Sequence, residues 1–105
     1  MWVDVADASL PVGTLTNVHV GGEDIVVARV GEWWAAVSGA CTHDECPLAD
    51  GWLEDTALRC PCHAALFDLA TGEPVEGPAT EPLVVYPVRV QLGRVEVEHG
   101  GGRRS

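Results

Sequence analysis

Two short segments of this 105-residue sequence collect residue types that bind metal: Cys41-Thr42-His43-Asp44-Glu45-Cys46 and Cys60-Pro61-Cys62-His63. They hold all four cysteines of the chain and two of its four histidines. Thiolate and imidazole are ligands that suit zinc, copper and iron–sulfur centres. Pro61 and the acidic pair Asp44-Glu45 interrupt the strand pattern, so each group is expected on a loop. The spacing then discriminates. A zinc finger of the usual kind draws Cys-x2–4-Cys from one segment and His-x3–5-His from another. Here each segment offers one Cys and one His: Cys41-x-His43, sixteen residues, then Cys60-x-x-His63. A zinc-bound interaction module, or thiols that are merely buried, are the alternatives that the residues leave open.

The wording Cys-Thr-His followed by Cys-Pro-Cys-His resembles the Rieske family, in which one iron of a [2Fe–2S] cluster takes two Cys and the other two His. The resemblance runs beyond the ligands. Leu48-Ala49-Asp50-Gly51 and Phe67-Asp68-Leu69-Ala70-Thr71-Gly72-Glu73 fall where Rieske ferredoxins carry similar runs, and Gly77-Pro78-Ala79 looks like the proline-containing loop that closes over the cluster. It covers the chain from about Trp2 to Glu98. It implies that Cys41 and Cys60 bind the inner iron and that His43 and His63 bind the outer one, near the surface. Neutral imidazoles in place of two thiolates make such a cluster less negative and raise its potential above that of four-Cys ferredoxins.

The resemblance also assigns the remaining cysteines. Cys46 and Cys62 stand where high-potential Rieske proteins place a disulfide between the two cluster loops, although many soluble Rieske ferredoxins lack the pair. A bridge between them is expected, despite the reducing cytoplasm. The surrounding residues point the opposite way. High-potential members follow the last ligand with Gly-Ser and carry a Tyr four residues after it, and those hydroxyls stabilise the reduced cluster. This chain has Ala64-Ala65 and Phe67 instead, with Asp44 and Glu45 beside His43. The expected potential is in the lower part of the roughly −150 to +300 mV Rieske range.

The elements that must position these loops read as short strands. They are expected at Trp2 to Ala6, Thr14 to Val20, Ile25 to Arg29, Trp33 to Val37, Ala57 to Arg59, Leu66 to Asp68, Val84 to Val90 and Arg94 to Val97. Gly21-Gly22 offers a two-residue hairpin turn. Pro82 and Pro87 place the segment between them at a sheet edge or a bulge. A turn of helix fits only at Leu48-Ala49-Asp50. Of Trp33 and Trp34, alternation sends one inward and one outward; Trp52 is expected to fill the core, and His19 and His99 to be ordinary side chains. The fold class is therefore all-β, a small antiparallel sandwich or barrel with a cluster-binding subdomain of two loops. One domain is expected over residues 1–99, with cluster loops at about 41–46 and 60–63 and a proline-containing loop at about 77–82. Residues 100–105 are expected to be a disordered tail.

Composition narrows the function. Hydrophobic residues make up 47% and charged ones 21%, an ordinary globular balance. Sixteen acids face six arginines and no lysine, and two of those arginines belong to the terminal Gly-Arg run. So acidic a body disfavours nucleic acid and anionic membranes and favours basic protein partners. No stretch reaches the roughly 20 apolar residues of a membrane span. A soluble, cytoplasmic, monomeric electron carrier is expected rather than an enzyme. The resemblance implies a flavoprotein reductase fed by NAD(P)H as electron donor and a terminal oxygenase as acceptor. A catalytic oxygenase subunit would need a further two-His, one-carboxylate iron site; only His19 and His99 are left for it. An electron-transfer subunit of a respiratory, nitrite-reductase or molybdenum-enzyme complex is the alternative.

Overall fold

The computed structural model describes residues 1–41, 46–62, 64–77 and 81–102. Among the described residues eleven strands form three antiparallel sheets: β1 (Trp2–Asp7), β11 (Arg94–Glu98) and β10 (Val88–Gln91) in the first; β2 (Leu15–Val20), β3 (Glu23–Val30), β4 (Trp33–Ser38) and β9 (Val85–Tyr86) in the second. The third contains β5 (Trp52–Glu54), β6 (Ala57–Arg59), β7 (Leu66–Asp68) and β8 (Pro74–Glu76), in that order. Leu48–Asp50 and His99–Gly101 are 3₁₀ turns. No helix among the described residues is long and apolar enough to cross a membrane.

The second sheet lies between the other two, and its sequence carries the reason. The run Ile25-Val26-Val27-Ala28 is apolar without alternation, and all four residues are fully buried. A strand covered on both faces needs no polar side. Ile25 and Val27, with Ala36 of β4, pack against Ala6, Val95 and Val97 of the first sheet. Val26 and Ala28, with Ala35 and Val37, pack against Leu58, Phe67, Leu69 and the cysteines. Each such Val or Ile contributes about 1.5–3 kcal/mol by burial. At the β2–β3 turn Gly21 and Gly22 have φ of 57° and 82°, the positive pair that a two-residue turn of this kind requires.

Three sequence expectations are refined. Val84 to Val90 is two strands: β9 edges the second sheet and β10 edges the first, and the chain changes sheet at Pro87, which has no N–H to give to either ladder. Trp33 faces solvent while Trp34 packs, under Arg29, against the core between the first and second sheets, with the guanidinium carbon 5.6 Å from the ring centroid. Order continues past residue 99. His99 stacks on Tyr86 with centroids 5.8 Å apart and hydrogen-bonds Glu23 at 2.6 Å, and the turn it opens reaches Gly101. Residues 103–105 of the expected tail lie outside the described residues.

Candidate metal centre

Both cysteine segments connect strand-like limbs by loops of the same length and closure. Ala40 pairs with Pro47 across the first, and Arg59 pairs with Leu66 across the second. Between those pairs run residues 41–46 and 60–65. Cys41 N–H donates to the Cys46 carbonyl at 2.9 Å, and Cys60 N–H donates to the Ala65 carbonyl at 2.7 Å. Each loop thus opens on a cysteine whose main chain clamps the loop's last residue. The return limb of the second segment includes Ala64 and Ala65.

The two loops are tied to each other at two places. Cys46 and Cys62 form a disulfide, with Cα atoms 6.3 Å apart. Deeper, Gly51 presses against the strand that leads into the second loop. A Cβ at Gly51 would stand 2.0 Å from the Arg59 carbonyl oxygen and 3.2 Å from that of Leu48. Only glycine lets the 3₁₀ turn after the first loop meet β6 so closely.

The thiols have the setting that a metal–sulfur centre needs. Cys41 and Cys60 are 1% and 0% exposed, in one apolar cluster with Leu48, Leu58, Ala65 and Phe67. Thiolates buried in apolar surroundings are costly without a metal. The sulfurs of Cys46, Cys60 and Cys62 lie within 4.8 Å of one another. Two of these are bonded to each other, so the group is not a three-thiolate site; Cys60 is its ligand-competent member, and Cys62 is exposed. These residues fit a cluster that takes one thiolate from each loop. His43 and His63, the expected imidazole ligands, and Asp44 and Glu45 lie outside the described residues. So do Pro78 and Ala79 of the proline-containing loop. Phe67 and Ala65 are fully buried at the site and bring no hydroxyl to it.

Sequence reasoning missed the outer face of the β5–β8 sheet. Register places Trp52, Arg59 and Leu66 in one row and Leu53, Leu58 and Phe67 in the next. The second row is the inward one. Trp52 therefore does not fill the core: it is 51% exposed, its Nε1 donating to Glu54 Oε2 at 2.9 Å. Arg59 grips both Glu54 oxygens, and the Glu54 carboxyl is held down at about 2, first by Arg59 and then by Trp52. The other described arginines are engaged as well. Arg29 donates to the Leu10 carbonyl, Arg89 pairs with Glu96, and Arg94 pairs with Asp4. Over the whole sequence six arginines stand against sixteen acids, a balance that makes the surface potential negative.

A family model for the Rieske [2Fe–2S] domain matches residues 1–87. The anthranilate 1,2-dioxygenase ferredoxin subunit of Burkholderia cepacia is 41% identical over 80 residues, covering 76% of this chain and 74% of that protein. The ferredoxin CarAc of Metapseudomonas resinovorans is 37% identical over 99 residues, with 92% of each chain covered. Among solved structures, a chain from the complex of reduced oxygenase and oxidised ferredoxin in carbazole 1,9a-dioxygenase superposes with a TM-score of 0.91 at 36% identity, covering 99% of this chain and 97% of that one.

Proposed function

The chain belongs to the Rieske [2Fe–2S] domain family, and on that premise we propose that it is the ferredoxin of an oxygenase system. It takes single electrons from a flavin-dependent NAD(P)H reductase and delivers them to a terminal oxygenase. Its ligands are Cys41 and Cys60 to one iron and His43 and His63 to the other. When bound, the cluster supplies a one-electron couple.

The observation that carries this reading is the pair of matched loops, each opening on a buried cysteine and clamped by that cysteine's own N–H. The loops seat the sulfurs in apolar packing and exclude water from the thiolate side. The chain performs no bond chemistry of its own. Its acidic surface steers a basic partner into a weak, exchanging complex, as a carrier serving two proteins in turn requires. The protein acts as a monomer in the cytoplasm. An electron-transfer subunit of a respiratory or molybdenum-enzyme complex is the second reading, favoured by the Cys46–Cys62 bridge alone; Ala65 and Phe67, which lack the hydroxyls of high-potential members, weigh against it.

Absorption and low-temperature EPR spectra before and after dithionite, on protein purified without oxygen, test the proposal. The expected result is a rhombic signal of Rieske type on reduction, and NAD(P)H oxidation coupled through the protein to an aromatic-ring oxygenase. A colourless protein with stoichiometric zinc would overturn it.

A further inference from the structure

Arg59 stands immediately before the second cysteine loop, at the position that Ala40 occupies before the first. Its side chain is 16% exposed and every nitrogen is used. Nε donates to Glu54 Oε2 at 2.8 Å and Nη2 to Glu54 Oε1 at 2.7 Å. Nη1 donates to the Ala64 carbonyl at 2.8 Å and to Glu76 Oε1 at 3.1 Å. One guanidinium therefore joins β5, β6, β8 and the return limb of the loop.

The contact with Ala64 has a specific consequence. Ala64 has φ of 61°, in the left-handed region. A residue with a Cβ keeps that conformation only where its surroundings over-determine it. Here two successive carbonyls are held by two successive residues: Ala64 by the Arg59 side chain and Ala65 by the Cys60 N–H. The first loop has the main-chain clamp and an alanine at the corresponding place. Arg59 is also the arginine of the β5–β8 sheet, the other described arginines lying on β3, β10 and β11. It holds a positive charge between two carboxylates, one residue from Cys60.

We infer that Arg59 is a positioning residue of the cluster site: it fixes the return limb of the 60–65 loop to the β5–β8 sheet and offsets the Glu54 and Glu76 charges beside the bound cluster. The inference rests on the Rieske reading. Charge and position make separable demands. A cation near the cluster favours the reduced, more negative state, and a planar fork is needed to hold a carboxylate and a carbonyl together.

The test uses the purified holoprotein and needs no partner: an EPR-monitored redox titration, and the rate at which visible absorption is lost under a chelator. R59M should lower the midpoint potential by about threefold to tenfold in the electron-uptake equilibrium, the latter being ~59 mV for one electron. It should also speed cluster loss by roughly a factor of ten, as expected for losing hydrogen bonds to a charged donor. R59K should restore most of the potential while leaving cluster loss fast, since it keeps the charge and loses the fork. E54Q should move the potential upward, opposite to R59M, which a generic loss of stability would not do. R59M matching the parent in both readouts, or R59K restoring neither, overturns the inference. If R59M retains no cluster, R59K and E54Q decide: an unmoved potential in E54Q together with a parental loss rate in R59K overturns it. A parent protein without a [2Fe–2S] cluster refutes the functional reading instead, before any variant is compared.

Discussion

Removing the inter-loop bridge, by the double substitution C46A/C62A, should lower stability by an amount that the chain length sets. The two cysteines are 16 residues apart in sequence. Closing a loop of that size removes conformational freedom from the unfolded chain worth about 3 kcal/mol at 25 °C. For a domain of this size each kcal/mol moves the unfolding midpoint by roughly 4–8 °C, so a fall of ~12–24 °C is expected. The double variant also removes a buried sulfur, since Cys46 is only 7% exposed, which adds to the loss. Thermal and urea unfolding followed by circular dichroism would measure it on holoprotein. The urea m-value should rise, because the unlinked chain exposes more surface on unfolding. Parent protein treated with a dithiol should move toward the variant, attack starting from the exposed Cys62. A midpoint within about 4 °C of the parent, the shift of a single kcal/mol, would refute the reasoning. So would four labelled thiols in denatured, unreduced parent protein.

Three further outcomes are expected. Gly51→Ala should cost stability at the upper end of the ~1–3 kcal/mol typical of overpacking, read from urea midpoints, because the new Cβ meets main chain at Arg59 and Leu48 rather than a side chain that could swing away. Glu54 titrates at about 2 in the folded protein against an ordinary 4.5, so its contribution is present above pH ~4.5 and lost as pH falls toward 2. Glu54→Gln should therefore flatten the fall of the urea midpoint across that window, and an unchanged slope would contradict the assignment. The reduction potential should lie in the lower part of the roughly −150 to +300 mV Rieske range, and Phe67→Tyr should raise it by up to ~60 mV, one hydrogen bond's worth, in an EPR titration.

The larger strands were legible because their alternation and turns agree. Asn17 and His19 face solvent while Val18 and Val20 pack inward, and Gly21-Gly22 turns the chain between them. The unbroken apolar run of β3 foretold burial without telling that two sheets flank it. β5 and β8 escaped notice for a physical reason. Trp52–Glu54 and Pro74–Glu76 are three residues each, too short for a period-2 pattern to set their phase, and their pairing depends on partners supplied by the fold. The same shortness hid the outward direction of Trp52. At the site, cysteine identity and spacing were open to reading, because ligand chemistry is carried by side chains. The equal closure of the two loops was not, since main-chain hydrogen bonds carry it and any residue at positions 46 and 65 could accept them. Arg59 was missed for a related reason: its partners Glu54, Ala64 and Glu76 come from three separate stretches.

A bridge of the kind found in high-potential proteins and a lining of the low-potential kind can share one site because they act on different quantities. The Cys46–Cys62 bond restricts the unfolded chain and the separation of the loops. It carries no charge and donates no hydrogen bond, so it has little purchase on the difference between oxidised and reduced states. That difference follows from donors and charges near the sulfurs. Ala65 and Phe67 offer no hydroxyl, and over the whole sequence six arginines face sixteen acids. Such a lining is expected to keep the electron at low potential, which preserves driving force for the next transfer. The bridge meanwhile ties the two loops to each other. Stability and potential should accordingly part company under mutation. Loss of the bridge lowers the unfolding midpoint and leaves the reduction potential nearly in place, whereas Phe67→Tyr moves the potential through a single hydroxyl.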